Sequence, residues 1–147
     1  RVYIDGPLMK TSLKTMPHPG FPTDMQPQFS TLLTLAEGTS IVTDDIFDNR
    51  FRYVSELRRM GADISVDGTV AVIQGTGELK GAPVVATDLR AGAAMIIAGL
   101  AAKGTTEIEN IHYIERGYEC IDKKLEKLGA DIKRVHIPEI SASQLSG

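Results

Sequence analysis

Four short segments of this chain occur twice, in the same order. Thr23-Asp24-Met25-Gln26 returns as Thr87-Asp88-Leu89-Arg90, and Glu37-Gly38-Thr39 returns as Lys103-Gly104-Thr105. Asn49-Arg50-Phe51 aligns with Glu115-Arg116-Gly117, and Gly61-Ala62-Asp63-Ile64 returns as Gly129-Ala130-Asp131-Ile132. The offset widens from 64 to 66 and then to 68, as expected of two copies of one unit that differ by small loop insertions. Such a chain must stack supersecondary units whose apolar faces are buried against one another.

The copies predict the same elements. A Thr-Asp pair, preceded in the first copy by Pro22, offers N-cap chemistry for helices over 24–36 and 88–102. A Gly-Thr turn then leads to short strands over 39–43 and 105–108. Second helices over 49–60 and 116–128 end at Gly61 and Gly129, residues suited to a left-handed C-cap. In the later one, Ile114, Tyr118, Ile121, Leu125 and Leu128 form one apolar stripe. In copy one, strands over 62–66 and 69–73 flank Asp67-Gly68, a two-residue hairpin signal. The segment 89–102 has no charged face beyond Arg90, so it reads as a helix buried on all sides, with sheets outside it. Val2-Tyr3-Ile4-Asp5-Gly6 matches the closing strand Val70 to Gly75, so the sequence reads as beginning within a repeat. The expected division is the end of one repeat (1–16), two repeats (17–82 and 83–138) and a polar tail (139–147).

Composition narrows the function classes. The 147 residues carry 16 basic and 19 acidic side chains, a formal charge of −3, and only 5% aromatics, so there is no dense cationic array for nucleic acid. A single cysteine, Cys120, allows no internal disulfide, and as one residue on a helix it reads as packing. The longest apolar run, 91–102, falls short of the roughly 18 residues a membrane span needs, and 1–5 reads as strand, not signal peptide. The expectation is a cytoplasmic protein with no membrane or nucleic-acid partner.

Candidate chemistry centres on one charge pattern. Asp24 and Asp88 begin equivalent helices and fit either of two roles, N-cap or hydrogen-bonding and proton-accepting carboxylate. Arg50, Arg90 and Arg116 each fall at the start of an expected helix, where the dipole disfavours a cation. Three planar forks at related ends suit either surface ion pairs or an anion site for carboxylate and phosphate. Pro17-His18-Pro19-Gly20-Phe21-Pro22 is too rich in proline for helix or inner strand and stiffens the approach to Asp24. Gly75-Thr76-Gly77 follows a strand but opens no helix, which argues against a phosphate loop, and the three histidines lack zinc-ligand spacing.

Taken together, Pro17 to Gln26, Phe47-Asp48-Asn49-Arg50-Phe51, Arg59-Met60-Gly61-Ala62, Ala86-Thr87-Asp88-Leu89-Arg90 and Ile114-Glu115-Arg116-Gly117-Tyr118 resemble the UDP-N-acetylglucosamine 1-carboxyvinyltransferases, a family of enolpyruvyl transferases. The resemblance spans about residues 8–136. The sister 3-phosphoshikimate 1-carboxyvinyltransferases share the repeat but not the Pro-His-Pro run. They remain an alternative, as does a non-catalytic module of the same fold. The resemblance implies an inside-out α/β prism with helices inside and sheets outside. It also implies transfer of enolpyruvyl from phosphoenolpyruvate to the 3-hydroxyl of UDP-N-acetylglucosamine in peptidoglycan synthesis, without metal or organic cofactor.

By the same resemblance, Asp24 contacts the sugar hydroxyl and is its base, and Ile46 touches the UDP-sugar through its backbone. Arg116 clamps phosphoenolpyruvate, Asp88 and Arg90 border that pocket, and Arg50 is a further arginine of the cleft. The family's general acid is a cysteine or aspartate on the other domain, and Cys120 lies in the wrong motif to serve. This chain would then hold only part of an active site completed by the N-terminal part of the same enzyme, and would be inactive alone.

Overall fold

The computed structural model describes residues 3–137. Strand β1 (Ser12–Lys14) leads through a proline-rich loop and a single 3-10 turn (Thr23–Met25) into helix α1 (Gln26–Leu33), which returns to strand β2 (Thr39–Thr43). Helix α2 (Val54–Arg59) and the hairpin β3 (Asp63–Asp67) and β4 (Val70–Gln74) complete the first copy. The second runs β5 (Pro83–Val85), α3 (Leu89–Ala101), β6 (Glu107–Glu109), α4 (His112–Glu115) and α5 (Ile121–Lys127).

Both copies are built on the same parallel ladder. In the first, Glu37 N–H donates to Leu8 O, Lys10 N–H to Glu37 O, Ile41 N–H to Thr11 O and Thr15 N–H to Thr43 O. In the second, Lys103 N–H donates to Leu79 O, Gly81 N–H to Lys103 O, Glu107 N–H to Ala82 O and Ala86 N–H to Glu109 O. The strands after the helices correspond at the offset of 66 read from sequence, while the strands before them correspond at 71. The sequence reading missed β1, whose Ser-Leu-Lys carries no strand pattern. It expected a strand at Val2 to Gly6, but the described part of that segment, from Tyr3, forms none; Val2 lies outside the described residues.

The larger sheet has the order β1-β2-β4-β3, antiparallel except for β1 and β2. Its pleat turns Ser40, Val42, Ile64, Ala71 and Ile73 inward and leaves Thr39, Ile41, Ser65 and Val72 facing out. Helices α1 and α3 pack on each other inside this sheet, so the fold is α/β with helices inside and sheets outside, as expected. The hairpin forms one residue late: Asp67 pairs with Val70, and the turn is Gly68-Thr69 with Gly68 at φ 56°.

Helix α3 lies between two cores. Ala91, Ala94, Met95 and Ala98 face the main one with Leu33, Leu57 and Met60, while Ile96 faces a smaller one with Ala86 and Ile114. Burial on all sides is corrected, however: Ile97 is 38% and Leu100 47% exposed. The helices and strands packed on α3 are α1, α2, α4, β5 and β6, and none of them covers that stripe. The expected helix over 116–128 is also interrupted. Helix α4 ends at Glu115, and α5 begins only after Cys120, which adopts a left-handed φ of 46°. Tyr118, Ile121 and Leu125 still pack with Ile114, while Leu128 is 83% exposed and Cys120 is exposed, not packed. In copy one, residues 50–53 are turn, so α2 starts at Val54 where 49 was expected. The C-cap expectation stands, with Gly61 at φ 91° and Gly129 at φ 98°. The tail from Pro138 lies outside the described residues.

A buried hydrogen bond links the two copies, and a close helix approach packs the second copy on itself. The Glu56 carboxylate of α2, 7% exposed, accepts the Val85 N–H of β5 at 3.0 Å. Gly92 brings α3 against α4 so closely that a Cβ there would overlap Ile114 Cγ1 and touch Ala86. An alanine in mid-helix ordinarily stabilises relative to glycine by up to about 1 kcal/mol. Gly92→Ala in the full-length protein should instead destabilise by about 1–3 kcal/mol, the range for overpacking. Urea denaturation measures it, and a stabilised variant would show that Ile114 yields freely.

Candidate functional site

The approach to Asp24 is held by local bonds. Met16 N–H donates to Phe21 O and Gly20 N–H to Pro17 O, closing the proline loop, which contains a cis His18-Pro19 bond. The Phe21 ring sits edge-on against Phe29 of α1 at 5.3 Å between centroids. Pro22 then enters the 3-10 turn in extended conformation.

Asp24 and Asp88 occupy matching positions but do different work. Asp88 is the N-cap of α3, its Oδ1 accepting from Arg90 N–H at 2.8 Å and Ala91 N–H at 2.9 Å. Asp24, for which capping is one of the two roles the sequence allows, caps nothing. The residue matching Ala91 is Pro27, which has no N–H to donate, and the 3-10 turn uses Met25 and Gln26 N–H groups on Pro22 and Thr23 carbonyls instead. Relieved of that duty, the Asp24 carboxylate points outward, 62% exposed. Its Oδ1 accepts from Arg90 Nε, and Arg50 Nη2 lies 4.0 Å from the same oxygen. Oδ2 has no partner among the described residues.

Arg50 lies in the turn before α2, not within a helix. Its side chain is 16% exposed, its guanidinium stacks 4.5 Å over the Phe47 ring, and its buried Nε has no partner among the described residues. With Phe47 it lines a depression that also takes in Asp44, Asp48 and Thr69. Arg116 is at the C-terminal end of α4 instead of a helix start, so the dipole objection to a cation there does not apply. It is exposed and makes no ion pair among the described residues. Gly117 beside it would carry a Cβ 2.8 Å from Leu89 Cδ2, which packs this turn against the residue preceding Arg90. Ile46 is half-buried and donates its N–H to Asp44 Oδ1 at 3.2 Å.

The structure therefore brings Asp24, Arg50 and Arg90 into one cluster, while Asp88 acts through the helix that presents Arg90. Two residues escaped the sequence reading. Asp44 is 1% exposed, and its Oδ2 accepts the Thr23 hydroxyl at 2.7 Å. Their separation of 21 positions follows no local spacing rule; only an acidic pair directly after β2 marks the place. Beneath the cluster, burial pushes the Tyr53 phenol far above its ordinary range, and its hydroxyl donates to Gln26 Oε1 at 3.2 Å. A carboxylate with one free oxygen beside a set of forked cations can accept a proton next to a bound carboxylate or phosphate.

A family model described as EPSP synthase (3-phosphoshikimate 1-carboxyvinyltransferase) matches residues 5–133. The UDP-N-acetylglucosamine 1-carboxyvinyltransferase 3 of Caldanaerobacter subterraneus is 57% identical over 135 residues, covering 92% of this chain and 32% of the relative. The UDP-N-acetylglucosamine 1-carboxyvinyltransferase of Thermodesulfovibrio yellowstonii is 56% identical over 136 residues, 91% of this chain and 33% of the relative. Among solved structures, the enolpyruvyl transferase NikO from Streptomyces tendae superposes with a TM-score of 0.84 at 34% identity, covering 92% of this chain and 31% of NikO. The chain thus spans about a third of the length of the relatives it matches.

The split between the two aspartates predicts unequal stability effects. Asp88→Ala removes two cap bonds and should cost about 0.5–2 kcal/mol. Asp24→Ala loses only an exposed ion pair and should change stability by less than about 1 kcal/mol. Chemical denaturation of the two full-length variants compares them, and equal losses would mean that Asp24 caps after all.

Proposed function

Because the chain belongs to the EPSP synthase family of enolpyruvyl transferases, we propose that it is part of a transferase that moves enolpyruvyl from phosphoenolpyruvate to the 3-hydroxyl of UDP-N-acetylglucosamine and releases phosphate. The observation that carries this reading is the Asp24 carboxylate, freed from capping, held by Arg90 through one oxygen and open at the other. The identity to transferases named for UDP-N-acetylglucosamine favours that acceptor.

In this reading Asp24 Oδ2 takes the proton of the sugar hydroxyl as its oxygen bonds to C2 of phosphoenolpyruvate, while C3 gains a proton from an acid outside this chain. The tetrahedral ketal then loses a C3 proton and phosphate, giving the enolpyruvyl ether. Arg116, Arg90 and Arg50 balance the carboxylate and phosphate charge. The backbone of Ile46 and the ring of Phe47 face the UDP-sugar, and the general acid comes from the remaining two thirds of the protein. Peptidoglycan synthesis in the cytoplasm is the setting that fits this product; no helix among the described residues is long and apolar enough to cross a membrane. The family model's own description favours a second acceptor, shikimate 3-phosphate.

The test uses the full-length protein, phosphoenolpyruvate and either acceptor, with phosphate release as the readout. Release is expected with UDP-N-acetylglucosamine and not with shikimate 3-phosphate; the reverse would overturn the assignment. Asp24→Asn should lower turnover by about 10²-fold or more, the span for losing a general base. A single-turnover rate within about threefold of the parent would remove Asp24 from the chemistry.

A further inference from the structure

We propose that Asp44 is a positioning residue that holds the two walls of the site in register through one buried carboxylate; the identity of what it positions rests on the function proposed above. Its Oδ2 accepts the hydroxyl of Thr23, the neighbour of Asp24, at 2.7 Å. Its Oδ1 accepts the N–H of Ile46 at 3.2 Å, at the head of the loop that carries Phe47 and Arg50. Its own N–H donates to Thr69 O in the hairpin turn. A single side chain thus links the turn bearing the carboxylate to the loop bearing the ring and a cation.

The energetics point to function, not to fold. Asp44 is 1% exposed and makes no ion pair among the described residues, and a buried carboxylate is costly unless its oxygens are well satisfied. The second copy shows that the fold does not require it. There the position matching Asp44 is Asn110, the position matching Thr23 is Thr87, and the Thr87 hydroxyl is buried with no partner among the described residues. That copy builds the same ladder without the tether, and its Asp88 is a cap. The tether occurs only in the copy whose aspartate is free for chemistry.

Asp24 touches the tether only through its neighbour Thr23, so the test separates loss through Asp24 from a general defect. In the full-length protein, Thr23→Val keeps shape but removes the hydroxyl and should lower kcat by about tenfold, since small misplacement of a reacting group costs rate steeply. Thr23→Ser, which keeps the hydroxyl, should restore it. In an Asp24→Asn background Thr23→Val should add no further loss. A kcat within about threefold of the parent, or the same factor lost in both backgrounds, would overturn the proposal. A readout independent of turnover is the Arg90 Nε–H signal in arginine-labelled protein, whose protection from solvent exchange should fall in Thr23→Val. Unchanged protection would overturn the tether. A parent that transfers no enolpyruvyl would overturn only the proposed activity, because the Arg90 signal still decides the tether.

Discussion

The direct packing of α1 on α3 is the contact on which the rest of this structure depends. Each helix is the crossover of its own parallel strand pair, and the two ladders are bonded alike. Alanines at 91, 94 and 98 keep the near face of α3 low, which lets the helices approach closely and share one core with Leu33 and Met95. Stacking two like units side by side also sets their helix starts together. The 3-10 turn before α1 and the N-terminus of α3 meet there, so Asp24 and Arg90, 66 positions apart, become partners. Burial of apolar surface thus fixes where the charges go.

A repeated fold gives two equivalent positions, and sequence differences then divide their labour. Pro27 is the decisive change. By removing the N–H that a cap would need, it turns a structural aspartate into an outward-facing one, while Ala91 lets Asp88 keep the ordinary role. The same asymmetry appears in the threonines: Thr23 is bonded to a carboxylate, Thr87 is not. The exposed Asp24–Arg90 pair contributes too little stability to explain its placement, since exposed ion pairs are worth about 0–1 kcal/mol.

Much of this was legible in the sequence because it is periodic or rests on backbone rules. The duplicated motifs gave the offset that β2 and β6 obey, and the glycines at 61 and 129 marked true left-handed helix ends. The Asp67-Gly68 signal located the hairpin to within one residue. What escaped was set by tertiary context. Three-residue strands such as β1 have no pattern of their own and exist because β2 offers an edge. The stripe from Ile114 to Leu128 is helical in spacing, yet the helix is interrupted before Ile121 by Cys120, where nothing in the residue type signals a left-handed φ. Asp44 and Thr23 meet only after folding. The failure of Asp24 as a cap was readable, since Pro27 stands where an amide donor was needed.

The central claim is that Asp24 is a free carboxylate positioned for a hydroxyl of the acceptor. The most direct measurement is a crystal structure of the full-length protein with UDP-N-acetylglucosamine bound. An Asp24 Oδ2 within about 2.6–3.2 Å of the sugar 3-hydroxyl, with Oδ1 still facing Arg90, is the predicted result. A bound sugar whose 3-hydroxyl is met by another side chain, with Asp24 engaged only by Arg90 and Arg50, would contradict it.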